Sequence, residues 1–390
     1  MSGMILTLNA GSSSIKFALY RDAPDLPREA SGMVEALGPE ARLILTPEGG
    51  ETEERALGRT DHDGAVRAIL DALAPLLDGR AVDGVGHRIV HGGPEIDGPR
   101  RLTGDLAAYL DTLAPLAPLH QPHNLAAVHA ARAAFPDAVQ VGAFDTAFHR
   151  GHPKVNDIFA LPRRYYDQGV RRYGFHGLSY DHIAGLLARD HPRIAKGRVI
   201  VAHLGNGASL CGLENGHSVS SSMGFSALEG LCMGTRPGQV DPGVLLYLMK
   251  EEGMGYEDLT RLLYKESGLL GLSGISHDMR ALLASDAPEA AEAIAYYCTR
   301  LAREIGAMAA VLGGIDGLVF TGGVGENAAT IRAKAVARLG FLGLTLNAEA
   351  NAANARSIGS GQVPVLVLPT DEEAVIARAV SGEIRQSTDG

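Results

Sequence analysis

Residues 4–20 read MILTLNAGSSSIKFALY, and near mid-chain residues 199–213 read VIVAHLGNGASLCGL. Placing Gly11 on Gly205 also pairs Asn9 with His203 and Ser12 with Asn206. Each stretch is a strand rich in Leu or β-branched residues, a tight turn of small residues, and a second strand. That is a hairpin whose turn offers backbone N–H groups and short hydroxyl or amide side chains, a chemistry that suits phosphate. Two copies predict a duplicated fold holding a nucleotide between its halves. Two unrelated glycine-rich hairpins is the alternative that the repeat alone leaves open.

A chain of 390 residues exceeds what one core usually organises, which predicts two domains, and 46% apolar content suits a globular protein. The net charge of −10 and pI near 5.8 argue against nucleic acid or an anionic membrane as partner. Any anionic ligand must then be held by local groups. Cys211, Cys232 and Cys298 are odd in number and widely spaced, which gives neither a disulfide framework nor paired metal-ligand spacing and fits a reducing cytoplasm. No basic segment precedes the short first apolar run, and no stretch of about 18 uncharged apolar residues occurs, so a cytoplasmic protein is expected.

Outward from the first hairpin, polar stretches at 21–29 and 46–58 read as edge turns, and 61–77 is amphipathic at helical spacing. Strands are predicted at 84–90 and 138–144, with helices at 102–110 and 124–135, the second opening behind Pro122 with Asn or His as cap. Proline keeps 114–124 from being regular helix and makes it a segment that lines something. At Arg150 the chain changes character, through a basic loop (Arg163, Arg164, Arg171, Arg172) to a helix at 179–190. That sets the expected domains as 1–149, completed by a C-terminal helix at about 375–390, and 150–374. A helix at 287–312 between later strands at 317–321 and 363–369 makes the class α/β.

Four clusters beside the hairpins carry candidate chemistry. GVGHRIVHGG (84–93) places Arg88 and His91 at a strand end before two glycines, where the guanidinium either reaches an anion or makes a structural ion pair. VGAFDTAFH (141–149) supplies Asp145, a metal or base position or a helix cap. The loop SSSMGFSALEGLCMGTRPGQVDPG (220–243) carries Arg236 and is of a length that is usually functional. VFTGGVGENAATIR (319–332) brings Gly322, Gly323 and Gly325 to a helix N-terminus that favours phosphate. Its companion LPTDEEAVIARAV (368–380) puts Asp371, Glu372 and Glu373 in a first helical turn, either as caps or as a carboxylate reaching Mg²⁺. HQPH (His120, His123) and HRGH (His149, His152) mimic ligand spacing but have no cysteine or carboxylate at fixed offset, so zinc is not expected. His176, between Gly174 and Gly177 in YGFHG, is a site residue or a packed core histidine.

As an ordered set these segments, with PLAPLHQPHN (115–124) and SGISHDMR (273–280), resemble the acetate kinase family of the acetate and sugar kinase, actin and Hsp70 superfamily. The resemblance runs nearly end to end. It implies duplicated ribonuclease-H-like domains, as in actin-like ATPases, flanking a nucleotide cleft, and a homodimer built through the second domain. It also implies reversible transfer of the ATP γ-phosphoryl group to acetate, giving acetyl phosphate and ADP with Mg²⁺, or alternatively Mn²⁺, as the metal. Asn9, Ser12, Ser14 and Lys16 match the family's first phosphate-facing hairpin, and His203, Asn206 and Gly207 match the second. Arg88 and Arg236 match the arginines that hold the carboxylate and the migrating phosphoryl group, and His176 matches a histidine bonded to that group. Asp145 matches an active-site acid, and Glu372, with Asn9, the magnesium site. Asp278, Met279, Arg280, Gly323 and Asn327 match the adenosine pocket.

Three positions depart from the family pattern: Ser220 and Ser221 stand where Asp-Thr is usual, Ala227 where proline is frequent, and Met279 where an aromatic packs on adenine. They put in doubt the bonding near Arg236, the acyl pocket and the nucleotide selectivity. A propionate or butyrate kinase is the nearest competing reading, decided by the volume around Val90, Leu119, Phe175 and Ala227; a non-kinase actin- or Hsp70-like ATPase is the more distant one. Val90 follows Arg88 by two residues, so on a strand both face one side and the valine walls the acyl tail. The expected order is acetate, then propionate, with butyrate poor. No nucleophile has an evident activating base, so transfer is expected to be direct, without a phosphoenzyme.

Overall fold

The computed structural model describes residues 3–11, 14–118 and 120–388. Ser12 and Leu119, both candidate site residues, lie outside them. The chain forms two compact units, the first of residues 1–150 and 371–390 and the second of 151–370.

In the first unit an eight-stranded sheet is built from β1 (Met4–Ala10), β2 (Ile15–Arg21), β3 (Arg28–Glu35), β4 (Gly38–Pro47), β5 (Glu53–Thr60), β6 (Val82–Ile89), β7 (Arg100–Arg101) and β8 (Val139–Phe144). Its order is β5-β4-β3-β2-β1-β6-β8-β7. Every residue of β1 is buried because both faces of this central strand are covered, as its unbroken apolar reading requires. Met4, Leu6 and Leu8 face a core shared with Val66, Ile69 and Leu73 of the His62–Leu77 helix and Ala127 and Ala131 of the Gln121–Ala134 helix. Ile5 points the other way, into a cluster with Ala377 and Val380 of the Glu372–Thr388 helix. That C-terminal helix lies so close to β6 that a Cβ at Gly86 would stand 2.3 Å from Ile376 Cγ2, and one at Gly84 2.3 Å from Val380 Cγ1. Glycine on β6 is what lets the chain's end dock there.

In the second unit β9 (Arg198–Leu204), β10 (Ala208–Glu214), β11 (His217–Ser221), β12 (Gly317–Thr321) and β13 (Val365–Val367) form a sheet in the order β11-β10-β9-β12-β13. This repeats β3-β2-β1-β6-β8 of the first unit strand for strand. In each, the first two neighbour pairs are antiparallel and the last two parallel. The duplication is therefore real. Both hairpin turns are closed by a glycine N–H, but the second is one residue tighter: Gly11 N–H bonds the Ser14 carbonyl, and Gly205 N–H the Gly207 carbonyl. Asn9 and His203 hold the same place, one residue before their strands end.

Two expectations need correction. The polar stretches at 21–29 and 46–58 contribute to strands β3, β4 and β5 as well as to turns. The edge strand β5 is mostly exposed and charged, so pairing with β4, not an apolar period, defines it. The segment 114–124 is partly helical, since a short 3₁₀ turn covers Ala114–Leu116 and the next helix starts at Gln121. Pro122 sits in that helix's first turn, where its missing N–H costs nothing. Asn124 is no cap but an inward-facing residue inside the helix. All three cysteines are buried and free, and among the described residues no helix is long and apolar enough to cross a membrane.

Candidate active site

At the ends of β1, β6 and β8 four candidate residues of the first unit meet. Arg88 Nε donates to Asp145 Oδ1 at 3.0 Å and Nη2 to Asp145 Oδ2 at 2.6 Å, a two-pronged pair. Its Nη1 donates to Asn9 Oδ1 at 3.1 Å and lies 3.7 Å from Glu372 Oε2. Asn9 Nδ2 in turn donates to Glu372 Oε2 at 3.3 Å. Burial alone would lower the Arg88 pKa, but Asp145 and Glu372 together hold it above its ordinary value, so the guanidinium stays charged. Of the three acidic residues at the last helix, Asp371 is the cap, its Oδ1 accepting from Ala374 N–H, whereas Glu372 turns to Arg88 and Asn9. Glu373 is half-buried, and desolvation and its acidic neighbours raise its pKa. Ser14 borders the turn, and Lys16 is exposed on β2 opposite Asn9.

Val90 is not on the strand with Arg88. Strand β6 stops at Ile89, and the Val90 N–H turns instead to Asn124 Oδ1 at 2.9 Å, so strand alternation does not extend to it. Asn124 Nδ2 also donates to the Ala10 carbonyl, and Gln121 grips the His91 N–H and carbonyl. Neither amide was foreseen as part of the site. The available signal was their spacing, three apart on a helix, with both polar side chains buried.

In the second unit the groups gather around β9 and β10. A Cβ at Gly207 would stand 2.6 Å from Arg236 Nη2 and 3.3 Å from His176 Nε2, so only a bare backbone lets both approach. His176 stacks on His203 with ring centroids 4.3 Å apart. Its backbone is left-handed, φ 57°, at the N-terminus of the Gly177–Asp190 helix, a cost tolerated where the surroundings hold the residue in place. Ser209 Oγ lies 2.8 Å from His176 Nδ1, and Ser179 Oγ 2.8 Å from His203 Nδ1. Arg236 Nη1 donates to the Ala227 carbonyl at 2.8 Å, and burial pushes its pKa down to about 10. Among the described residues no carboxylate pairs with it. Phe175 is buried and Ala227 half-buried.

Beside the β9–β10 turn lies a cavity of about 510 Å³ lined by Asn206, Asp278, Met279, Arg280, Gly323 and Asn327 among others. Met279 is a buried part of its wall. Arg280 instead folds back on Asp278, Nη2 to Oδ2 at 2.6 Å, with its side chain exposed. The glycine-rich turn differs from expectation in one respect: the Gly322 N–H is already taken, donating to Glu326 Oε1 at 2.8 Å, while Gly323 has open space before it. Buried Arg332 steadies the same turn through the Gly325 and Glu326 carbonyls. Ser220 and Ser221 line a separate polar cavity of about 370 Å³ with the Arg172–Glu229 ion pair.

Residues 4–378 match the acetokinase family. The chain belongs to that family. It is 51% identical to the acetate kinase of Methylocella silvestris, with 97% of each chain covered, and 49% identical to that of Rhizobium meliloti, with 96% of each covered. Among solved structures, acetate kinase of Porphyromonas gingivalis superposes with a TM-score of 0.87 at 39% identity, covering 98% of this chain and 99% of that one. A propionate kinase from Francisella tularensis superposes with a TM-score of 0.91 at 32% identity, covering 97% and 98%. The two matching sheets are thus the actin-like ATPase fold as the acetokinase family builds it.

Proposed function

We propose that the chain is an acetate kinase, moving the γ-phosphoryl group of ATP to acetate to give acetyl phosphate and ADP, reversibly. Family membership supports the reaction. The observation that carries it to particular residues is Arg236, a half-buried cation with no carboxylate partner among the described residues, beside the bare backbone of Gly207 and His176 Nε2. A charge kept that way favours an anion from outside the chain. A phosphoryl group in flight spreads charge over its equatorial oxygens, and Arg236, His176 and the turn's N–H groups would hold that charge. Arg88 spends three N–H donors on Asp145 and Asn9, leaving two of its five for the acetate carboxylate. Acetate is ionised near neutral pH and is itself the nucleophile, so Asp145 orients Arg88 and no base is needed. The cavity of about 510 Å³ would take the adenosine.

Trapping acyl phosphate with hydroxylamine over a carboxylate series tests this reading. Acetate should be best, propionate lower in kcat/KM and butyrate poor. Preference for propionate would make the chain a propionate kinase, and ADP formation without any carboxylate would make it an ATPase of another kind.

The donor set near Glu372 fits Mg²⁺, and Mn²⁺ would take the same oxygens. Glu372 presents hard carboxylate oxygens, Asn9 meets them with its Nδ2 while its Oδ1 accepts from Arg88, and among the described residues no group of three His, Cys, Asp or Glu forms a cage. Mg²⁺ is commonly held that way, by one or two carboxylates plus the nucleotide's phosphates, whose charge it neutralises. Glu372→Ala should raise the Mg²⁺ concentration for half-maximal rate several-fold, whereas losing a helix-end charge alone would cost only about 0.3–1 kcal/mol of stability. A lowered Tm with unchanged Mg²⁺ dependence would take the metal role from Glu372.

A homodimer through the second unit is supported by the Pro242–Glu251 helix, which has no buried residue and exposes Val244, Leu246, Tyr247 and Met249. Apolar surface of that extent is what a self-complementary interface covers. Light scattering should give about twice the 40.9 kDa chain mass, and Leu246→Glu should shift it toward the monomer. A native chain that stays monomeric at assay concentration removes this reading.

A further inference from the structure

We infer that Tyr180 and Ser209 form a hydrogen-bond relay that fixes the tautomer of His176, keeping its proton on Nε2, the nitrogen beside Gly207 and Arg236. Both relay residues are wholly buried, and neither had been singled out by sequence. Ser209 Oγ sits between two partners, Tyr180 Oη at 2.5 Å and His176 Nδ1 at 2.8 Å, and it has one proton to give. Burial pushes the Tyr180 phenol well above its ordinary value, so that hydroxyl keeps a proton that it can donate to Ser209 Oγ. In the inferred relay Tyr180 donates to Ser209, and Ser209 spends its single proton on Nδ1. With Nδ1 accepting, a neutral imidazole must carry its hydrogen on Nε2. The ring cannot readily turn to swap its nitrogens, because His203 stacks on one face and the left-handed backbone holds its base.

The consequence is directional. Nε2–H places a donor beside Gly207, where Arg236 Nη2 also approaches, so the histidine presents a hydrogen and not a lone pair to an incoming oxyanion. Tyr180 and Ser209 are positioning residues for that donor. This consequence rests on the reading of His176 as a group that bonds the phosphoryl oxygens, but the tautomer itself does not.

The two can be tested apart in the full-length protein labelled with ¹⁵N-histidine, the His176 signals being those lost in His176→Gln. In the native chain the Nδ1 shift should be that of an unprotonated nitrogen and the Nε2 shift that of a protonated one. Tyr180→Phe, which keeps the ring, and Ser209→Ala should each let the Nδ1–H form appear. Each should also lower kcat by about tenfold or more, with KM for ATP nearly unchanged. Ser209→Thr, which keeps the hydroxyl, should restore both the shift and the rate. Native His176 protonated on Nδ1, or a tautomer that neither replacement disturbs, overturns the relay. A tautomer that changes while kcat does not would uphold the relay and remove His176 from the transfer step.

Discussion

In a folded Arg236→Lys enzyme kcat is expected to fall by more than about tenfold although the charge is kept. The reason is geometric. Arg236 uses Nη1 on the Ala227 carbonyl and still presents Nη2 beside Gly207, two jobs that a planar fork performs together and a single ammonium cannot. The guanidinium also remains protonated at neutral pH even with its pKa down at about 10, whereas a lysine in that partly desolvated place would be pushed toward the neutral form. Steady-state kinetics together with a melting curve separate the cases. A variant with native Tm and near-native turnover would take Arg236 out of the transfer step.

Asp145→Asn should cut kcat/KM for acetate by about a hundredfold while KM for ATP stays within a few-fold, because Arg88 loses the carboxylate that aims it. Asparagine keeps the shape but cannot accept from both Nε and Nη2 as a carboxylate does. Arg88 would then be drawn to Glu372, now its nearest negative charge, and away from the direction in which it holds substrate. The shape of the pH–rate profile should not change, since acetate needs no deprotonation. An acid limb that vanishes in Asp145→Asn would instead make Asp145 a general base.

Much of the site was legible because its pieces are local. NAGSSS and HLGNGAS are turns whose small residues announce themselves, and GTRPG surrounds its arginine with glycines. What stayed hidden was supplied at a distance by ordinary residues. Asn124 reaches the Ala10 carbonyl across 114 positions, and Ser209 reaches His176 across 33. Neither residue type is unusual, and no local spacing ties either to its partner. Edge strand β5 was missed for a related reason, since its order comes from β4 and not from its own apolar pattern.

The sequence by itself determined where strands, turns and helices alternate and where the duplicated hairpins fall, because 2.0 and 3.6 residue periods and the needs of tight turns are written in neighbouring residues. It also placed arginine, histidine and acid at element ends. Only the tertiary structure decided what each does there: that Arg88 is clamped by Asp145, 57 positions away, that Glu372 and not Glu373 turns to Asn9, 363 positions away, and that Val90 leaves the strand. These choices depend on which strand ends lie side by side and which side chains burial forces to find partners, and a linear order of residues does not contain that information.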